Sequence, residues 1–301
     1  MHSIEEKRVY DDREGATEAY VASSIGVVRV RVAGDTVGEF GLCDRCNARD
    51  IAATDDAVAI ATDEDVRILS LEDDDPTFVD AGFGPAVAVG YGDTGLIVAG
   101  PDGDVARLVA DSSTATDSNA TGDAGSVTGA WVSLESDAIP AVRAIDRDLI
   151  GTDAGVYRVH ESGLDHAGLT DVRDVSAAGV PLAATADGLY KLGNGWMEAL
   201  DGPFETVAAD PHTEPGRLSR AGAVSGTTIY AYDAEAETWA EYDRSSAPIV
   251  GIGYGRTIYA VTERGTFLSA TPEAEAEDDE PWRSRTLGIG DVTGLAVPRT
   301  E

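Results

Sequence analysis

Three observations predict an all-β fold built as a closed ring of seven four-stranded sheets. A hairpin pattern recurs seven times along the 301 residues at a spacing close to 40, and a stretch of small and β-branched residues accompanies each hairpin. The last of these stretches has no hairpin after it, and the first hairpin has no such stretch directly before it. A fixed period of this length marks a radial repeat, in which each unit buries its apolar faces only against its neighbours.

The hairpins are "YVASSIGVVRV" from Tyr20, "VAIATDEDVRIL" from Val58, "LIVAGPDGDVARL" from Leu96, "DLIGTDAGVYRV" from Asp148, "PLAATADGLYKL" from Pro181, "AGAVSGTTIYAY" from Ala221 and "TIYAVTERGTFL" from Thr257. Aligned on the last turn residue they fall at Gly26, Asp65, Asp104, Gly155, Gly188, Thr228 and Gly265, with spacings of 39, 39, 51, 33, 40 and 37. The turns have a physical logic: an early Asp bonds nearby backbone, and Gly serves where φ must be positive. The sixth turn, "SGTT", departs from the Asp-Gly pattern and is the weakest support for seven repeats over six.

The accompanying stretches are "DIAAT" from Asp50, "PAVAVG" from Pro85, "PAVRAI" from Pro140, "VRDVSA" from Val172, "ETVAAD" from Glu205, "PIVGIG" from Pro248 and "VTGLAV" from Val292. Their Ala, Gly and Val content suits innermost strands crowded round an axis. After most hairpins comes a fourth stretch carrying an aromatic: Phe40, Phe78, Trp131, Trp196, Trp239 or Trp282. Bulky residues belong where wedge-shaped sheets splay apart. Four short strands at this period define a β-propeller blade. The unmatched ends predict closure by pairing of the C-terminal strand with the N-terminal blade, which removes an exposed sheet edge. With 43% hydrophobic residues the chain can fill one large core, and residues 1–301 are expected to form a single propeller domain. Residues 1–18 are a tail or edge strand, and 111–128 and 272–281 are polar, low-complexity inserts on the face opposite the acidic turns.

Charge limits the partners. Asp and Glu number 55 against 22 Lys and Arg, a net charge of −33, and only Lys7 and Lys191 are lysines. Self-repulsion on this scale destabilises a compact chain unless salt screens it, and the Debye length falls to about 3 Å at 1 M. Acids spread along the chain, few lysines and many small residues resemble the proteins of salt-accumulating archaea. Nucleic acid is disfavoured because no Lys/Arg cluster is present to neutralise phosphates. The N-terminal stretch has no apolar signal core, and nowhere do 18 apolar residues run consecutively. A soluble, cytoplasmic protein with no membrane partner is the expectation.

Together with the seven repeats and the "GLCDRCNARD" stretch at 41–50, this composition resembles a haloarchaeal β-propeller family that lends no activity to carry over. The repeats are also similar, more distantly, to propellers of the photosystem-assembly-factor and sialidase type, but the Ser-x-Asp-x-Gly-x-x-Trp box of the latter is absent.

Enzymatic signatures are few. "GIGYG" at 251–255 lies in an innermost strand, is followed by another strand and lacks the Lys-Ser/Thr of a phosphate loop. His2, His160, His166 and His212 form no paired-ligand spacing. The only cysteines, Cys43 and Cys46, form one C-x-x-C. That supplies half of a zinc site, a reversible disulfide, or two structural thiols, and it leaves zinc as a weak cofactor candidate.

The connection from each outermost strand to the next innermost one opens on the same face as the second-to-third-strand turns. On that face, at the channel mouth, the sequence places Arg49, Asp50, Arg173, Asp174, Glu205 and Asp291 as candidate ligand- or partner-binding residues. Mutual pairing that ties blades together is the alternative role for these charges. Two functions are therefore carried forward. One is a non-enzymatic scaffold that binds a protein partner over the face bearing the cysteine loop. The other is a ligand- or metal-binding propeller, or an enzymatic one, that uses the Arg/Asp mouth or the Cys43/Cys46 loop.

Overall fold

The structure, a computed structural model, describes residues 16–73, 76–109, 129–134, 139, 141–161, 163–270 and 282–298. Both expected inserts, 111–128 and 272–281, and nearly all of the expected tail at 1–18 lie outside these residues.

Seven four-stranded antiparallel sheets form the fold. Numbering blades from the N-terminus, the innermost strands are Val292–Ala296, Ala48–Ala53, Ala88–Gly92, Val142–Asp146, Val172–Ser176, Thr206–Ala209 and Ile249–Tyr254. The C-terminal strand supplies the innermost position of blade one, with Tyr20 opposite Ala296 and Val21 opposite Leu295, so the ring closes as the unmatched ends require. The sixth repeat is a full blade, its turn completed by Gly226 at φ +61°.

The core lies between blades. Tyr259 and Phe267 of blade seven pack fully buried against Ala19, Val21 and Val30 of blade one. Tyr20 and Val27 of blade one meet Val58, Ile60 and Leu69 of blade two. Aromatics fill the outer splay. The Trp131 ring lies 4.9 Å from that of Phe83 in the preceding blade, and its Nε1 donates to Ala81 O at 2.9 Å. Trp196 makes the same backward reach to Ala167 O at 2.8 Å.

Small residues line the inner ring because adjacent innermost strands nearly touch. A Cβ on Gly90 would sit 2.5 Å from Ile145 O, and one on Gly253 would sit 2.6 Å from Val297 Cγ2. "GIGYG" is thus an innermost strand whose glycines make room for the next blade.

Candidate functional site

Each innermost strand starts with a residue that has no place in the ladder. In blade two, Ala48 pairs with Thr62 and Asp50 with Ala61, which leaves Arg49 extra. The same β-bulge expels Arg143 in blade four, Arg173 in blade five, Val250 in blade seven and Thr293 in blade one. In blade six the N–H of Glu205 shares Val224 with Thr206, and in blade three Val87 shares Ala99 with Ala88. Bulges re-aim side chains. Here they build a rim of Thr293, Arg49, Val87, Arg143, Arg173, Glu205 and Val250 at one mouth of the channel.

The channel holds about 540 Å³, and Arg143, Arg173, Glu205, Val250 and Thr293 line it. Arg49 takes the equivalent position, exposed, on the second blade. Arg173 Nη1 donates to Glu205 Oε1 at 2.7 Å, and Glu205 Oε2 accepts Gly226 N–H at 2.7 Å. Arg143 pairs with Asp171 and also donates to Val172 O at 3.2 Å.

Below the rim, carboxylates tie blades together. Asp50 Oδ1 accepts Ile51 N–H at 2.8 Å and Oδ2 accepts Val89 N–H of blade three at 2.9 Å. Asp174 repeats this toward Val175 at 2.9 Å and Val207 of blade six at 2.8 Å. Asp146 accepts Ala177 N–H, and Ser176 Oγ accepts Ala209 N–H, each from the next blade. Burial pushes Asp50 and Asp174 up to about 7, even though their N–H bonds pull the other way; for Asp174 the charges of Asp50 and Asp146 add to the rise.

The sequence-predicted site residues therefore divide by role. Arg49, Arg173 and Glu205 stand on the rim. Asp50 and Asp174 lie one residue deeper and tie blades through backbone N–H groups rather than through mutual charge pairing, whereas Arg173 and Glu205 do pair with each other across blades five and six. Asp291, at φ +51°, is exposed in the turn before the last strand, where its backbone carbonyl accepts Ser24 N–H at 3.2 Å. Arg143 and Asp146 were missed. The signal for Arg143 was in "PAVRAI", where it holds the offset of Arg49 and Arg173 within the repeat; Asp146 follows that stretch directly.

The cysteines sit where blade one passes to blade two. Cys43 is the last residue but one of the outermost strand Thr36–Asp44 and its Sγ donates to Val27 O at 3.2 Å, while Cys46 lies in the following loop beside Asp44. Both are free thiols. Burial pushes Cys43 up to about 11 and Cys46 up to about 12, with Asp44 raising each further. Among the described residues no group of three or more His, Cys, Asp or Glu is placed to hold a metal ion, and no helix is long and apolar enough to cross a membrane. The described histidines are engaged locally: His166 packs edge-on to Tyr157, and His160 and His212 lie beside Asp165 and Asp210.

Fold and site define a seven-bladed β-propeller with an arginine-bearing channel rim. The chain belongs to the HVO_0234-like β-propeller family, whose model matches residues 3–298. Solved structures share the fold at low identity. The WD40 β-propeller domain of Doa1 superposes with a TM-score of 0.63 at 15% identity, over 92% of this chain and 89% of that one. A functionally unknown protein from Desulfotomaculum acetoxidans gives 0.63 at 9% identity over 95% and 100%. A chain of the nidogen/laminin complex gives 0.57 at 9% over 93% and 98%. No curated protein matches in sequence.

Proposed function

We propose that this propeller is a scaffold of a salt-rich archaeal cytoplasm that holds a protein partner on the face carrying its arginine rim. The supporting observation is that rim. In a chain with 55 acids and 22 bases, the bulge position is Arg in three blades of seven, and each bulge directs its residue out of the ladder at the mouth. A rigid closed ring with loops gathered at one face suits such a role, and the propeller neighbours support it at the level of fold alone. The acidic composition supports the salt-rich setting.

The test is capture at about 1 M salt, where loose electrostatic association is screened. Immobilised wild-type protein is expected to retain a stoichiometric protein from a haloarchaeal extract, and Arg143→Ser with Arg173→Ser is expected to lose it. Asp174 is left intact because it ties blades five and six. A wild-type chain that stays solitary, or a variant that captures as well as wild type, overturns the proposal.

The channel's volume of about 540 Å³, within the range of ligand pockets, favours a second reading, a small polar ligand seated under the rim. Mass spectrometry of protein purified without dialysis separates the two readings: a bound small molecule and no protein supports the second.

A further inference from the structure

Arg45 and Arg49 have no carboxylate partner, a condition they share among the described residues with Arg256 and with Arg107, Arg147 and Arg285; of these, Arg107 and Arg147 donate to the carbonyls of His160 and Pro211, and Arg285 lies over the Phe40 ring. Most described guanidinium groups are claimed: Arg31 by Glu18, Arg67 by Asp44 and Asp80, Arg143 by Asp171, Arg158 by Asp148, Arg173 by Glu205 and Arg220 by Asp210. Four acids of this passage and of the adjoining second-blade turn are engaged elsewhere. Asp44 takes Arg67 and the Cys46 thiol, and Asp63 accepts Asn47 Nδ2 at 2.8 Å. Asp50 holds Ile51 and Val89, while Asp65 accepts the N–H groups of Val66, Gly82, Phe83 and Gly84. The passage from blade one to blade two thus offers two unclaimed guanidinium groups four residues apart, Arg45 in the loop and Arg49 at the bulge that opens the innermost strand Ala48–Ala53.

Exposed apolar side chains lie at the start of this passage, on the Arg45 side. Ile25 is 55% exposed and Leu42 is 41% exposed. They flank Gly26, where a Cβ would sit 2.1 Å from Asp44 O and 3.0 Å from Leu42 Cδ1, so the first-blade turn closes directly onto the start of the cysteine loop.

We propose that this corner, where blade one passes to blade two, docks an acidic segment of a partner protein that carries an aliphatic anchor. The partner's carboxylates sit on Arg45 and Arg49, and its aliphatic side chain sits against Ile25 and Leu42. The proposal rests on the scaffold reading and narrows it to one sector of the face. Guanidinium takes carboxylate in a bidentate fork at contact distance, the geometry that survives best when salt shortens the Debye length to about 3 Å. Charge complementarity selects the partner: two free cations with exposed apolar side chains on the Arg45 side fit a short acidic-aliphatic segment. A nucleic-acid backbone would need more cations than this and would meet the repulsion of a chain at −33.

The test uses the full chain and fluorescence anisotropy. The probes are labelled peptides of Glu-Glu-Leu, Gln-Gln-Leu and Glu-Glu-Ser repeats and a single-stranded oligonucleotide. The Glu-Glu-Leu peptide is expected to bind, and the Gln and Ser versions are expected not to. Arg45→Ser with Arg49→Ser is expected to weaken binding roughly tenfold, as is Ile25→Ser with Leu42→Ser. No binding of the Glu-Glu-Leu peptide, binding indifferent to all four substitutions, or equal binding of the oligonucleotide through the same arginines overturns the site. The scaffold reading is scored separately: if a partner is captured through Arg143 and Arg173 but Arg45→Ser with Arg49→Ser leaves capture unchanged, the scaffold stands and this site falls.

Discussion

Asp50 of blade two accepts the backbone N–H of Val89 in blade three at 2.9 Å, and Asp174 of blade five does the same for Val207 in blade six at 2.8 Å. The innermost strand of every blade has an edge facing the channel, and its backbone groups need partners. In these two blades the partner is a carboxylate from the strand before it. Asp50→Ala and Asp174→Ala each strand two N–H groups, one of them on the next blade, and are expected to cost about 1–3 kcal/mol apiece. Urea unfolding at fixed high salt measures this, and a loss indistinguishable from that of an exposed control such as Asp291→Ala contradicts it.

These carboxyls also predict a pH dependence. Their native values near 7 lie above the roughly 3.9 of an unfolded Asp, so between those values the folded chain holds protons that the unfolded chain has released. Their contribution to stability is therefore full below about 4 and is lost as pH rises to about 7. Asp50→Asn with Asp174→Asn is expected to flatten this fall relative to wild type. Thermal melts across that window check it, and parallel curves contradict it.

Blades seven and one predict a steric result. A Cβ on Gly251 would lie 2.8 Å from Leu295 Cβ and 3.1 Å from Leu295 N, and one on Gly253 would lie 2.6 Å from Val297 Cγ2. Gly251→Val with Gly253→Val forces apart the seam that closes the ring, and overpacking of this kind costs about 1–3 kcal/mol per site. A lowered melting temperature with the same secondary structure by circular dichroism is expected.

Cys43 and Cys46 are expected to alkylate slowly at neutral pH, with rates climbing toward pH values of about 11 and about 12, because burial holds both as thiols. A rate at pH 7 matching or exceeding that of a free model thiol contradicts this. Elemental analysis of protein purified without chelator is the companion measurement.

Most of the fold was legible because it rests on repetition. Turn residues such as Gly155, Gly188 and Gly265, and the small innermost strands, recur at a period that one blade dictates. The rim was half legible. Arg49, Arg173 and Glu205 were found as strand-end charges, yet Arg143 was passed over. What unites them is a β-bulge, and a bulge is a matter of register between strands that sequence pattern does not express. The same blindness hid the difference between Arg173 and Asp174. The two are neighbours in sequence, but one is expelled to the mouth and the other is turned onto the next blade's backbone. The claim on Asp44 by Arg67 was equally hidden, since it joins blades one and two across 23 residues.

Hydrogen–deuterium exchange of the protein alone and with its captured partner tests most directly whether the arginine rim is the working face. Protection is expected over the connections at 45–49, 141–143, 169–173 and 202–205, with the opposite-face loop 210–220 unchanged. Protection confined to 210–220, or none at either mouth, would contradict the account.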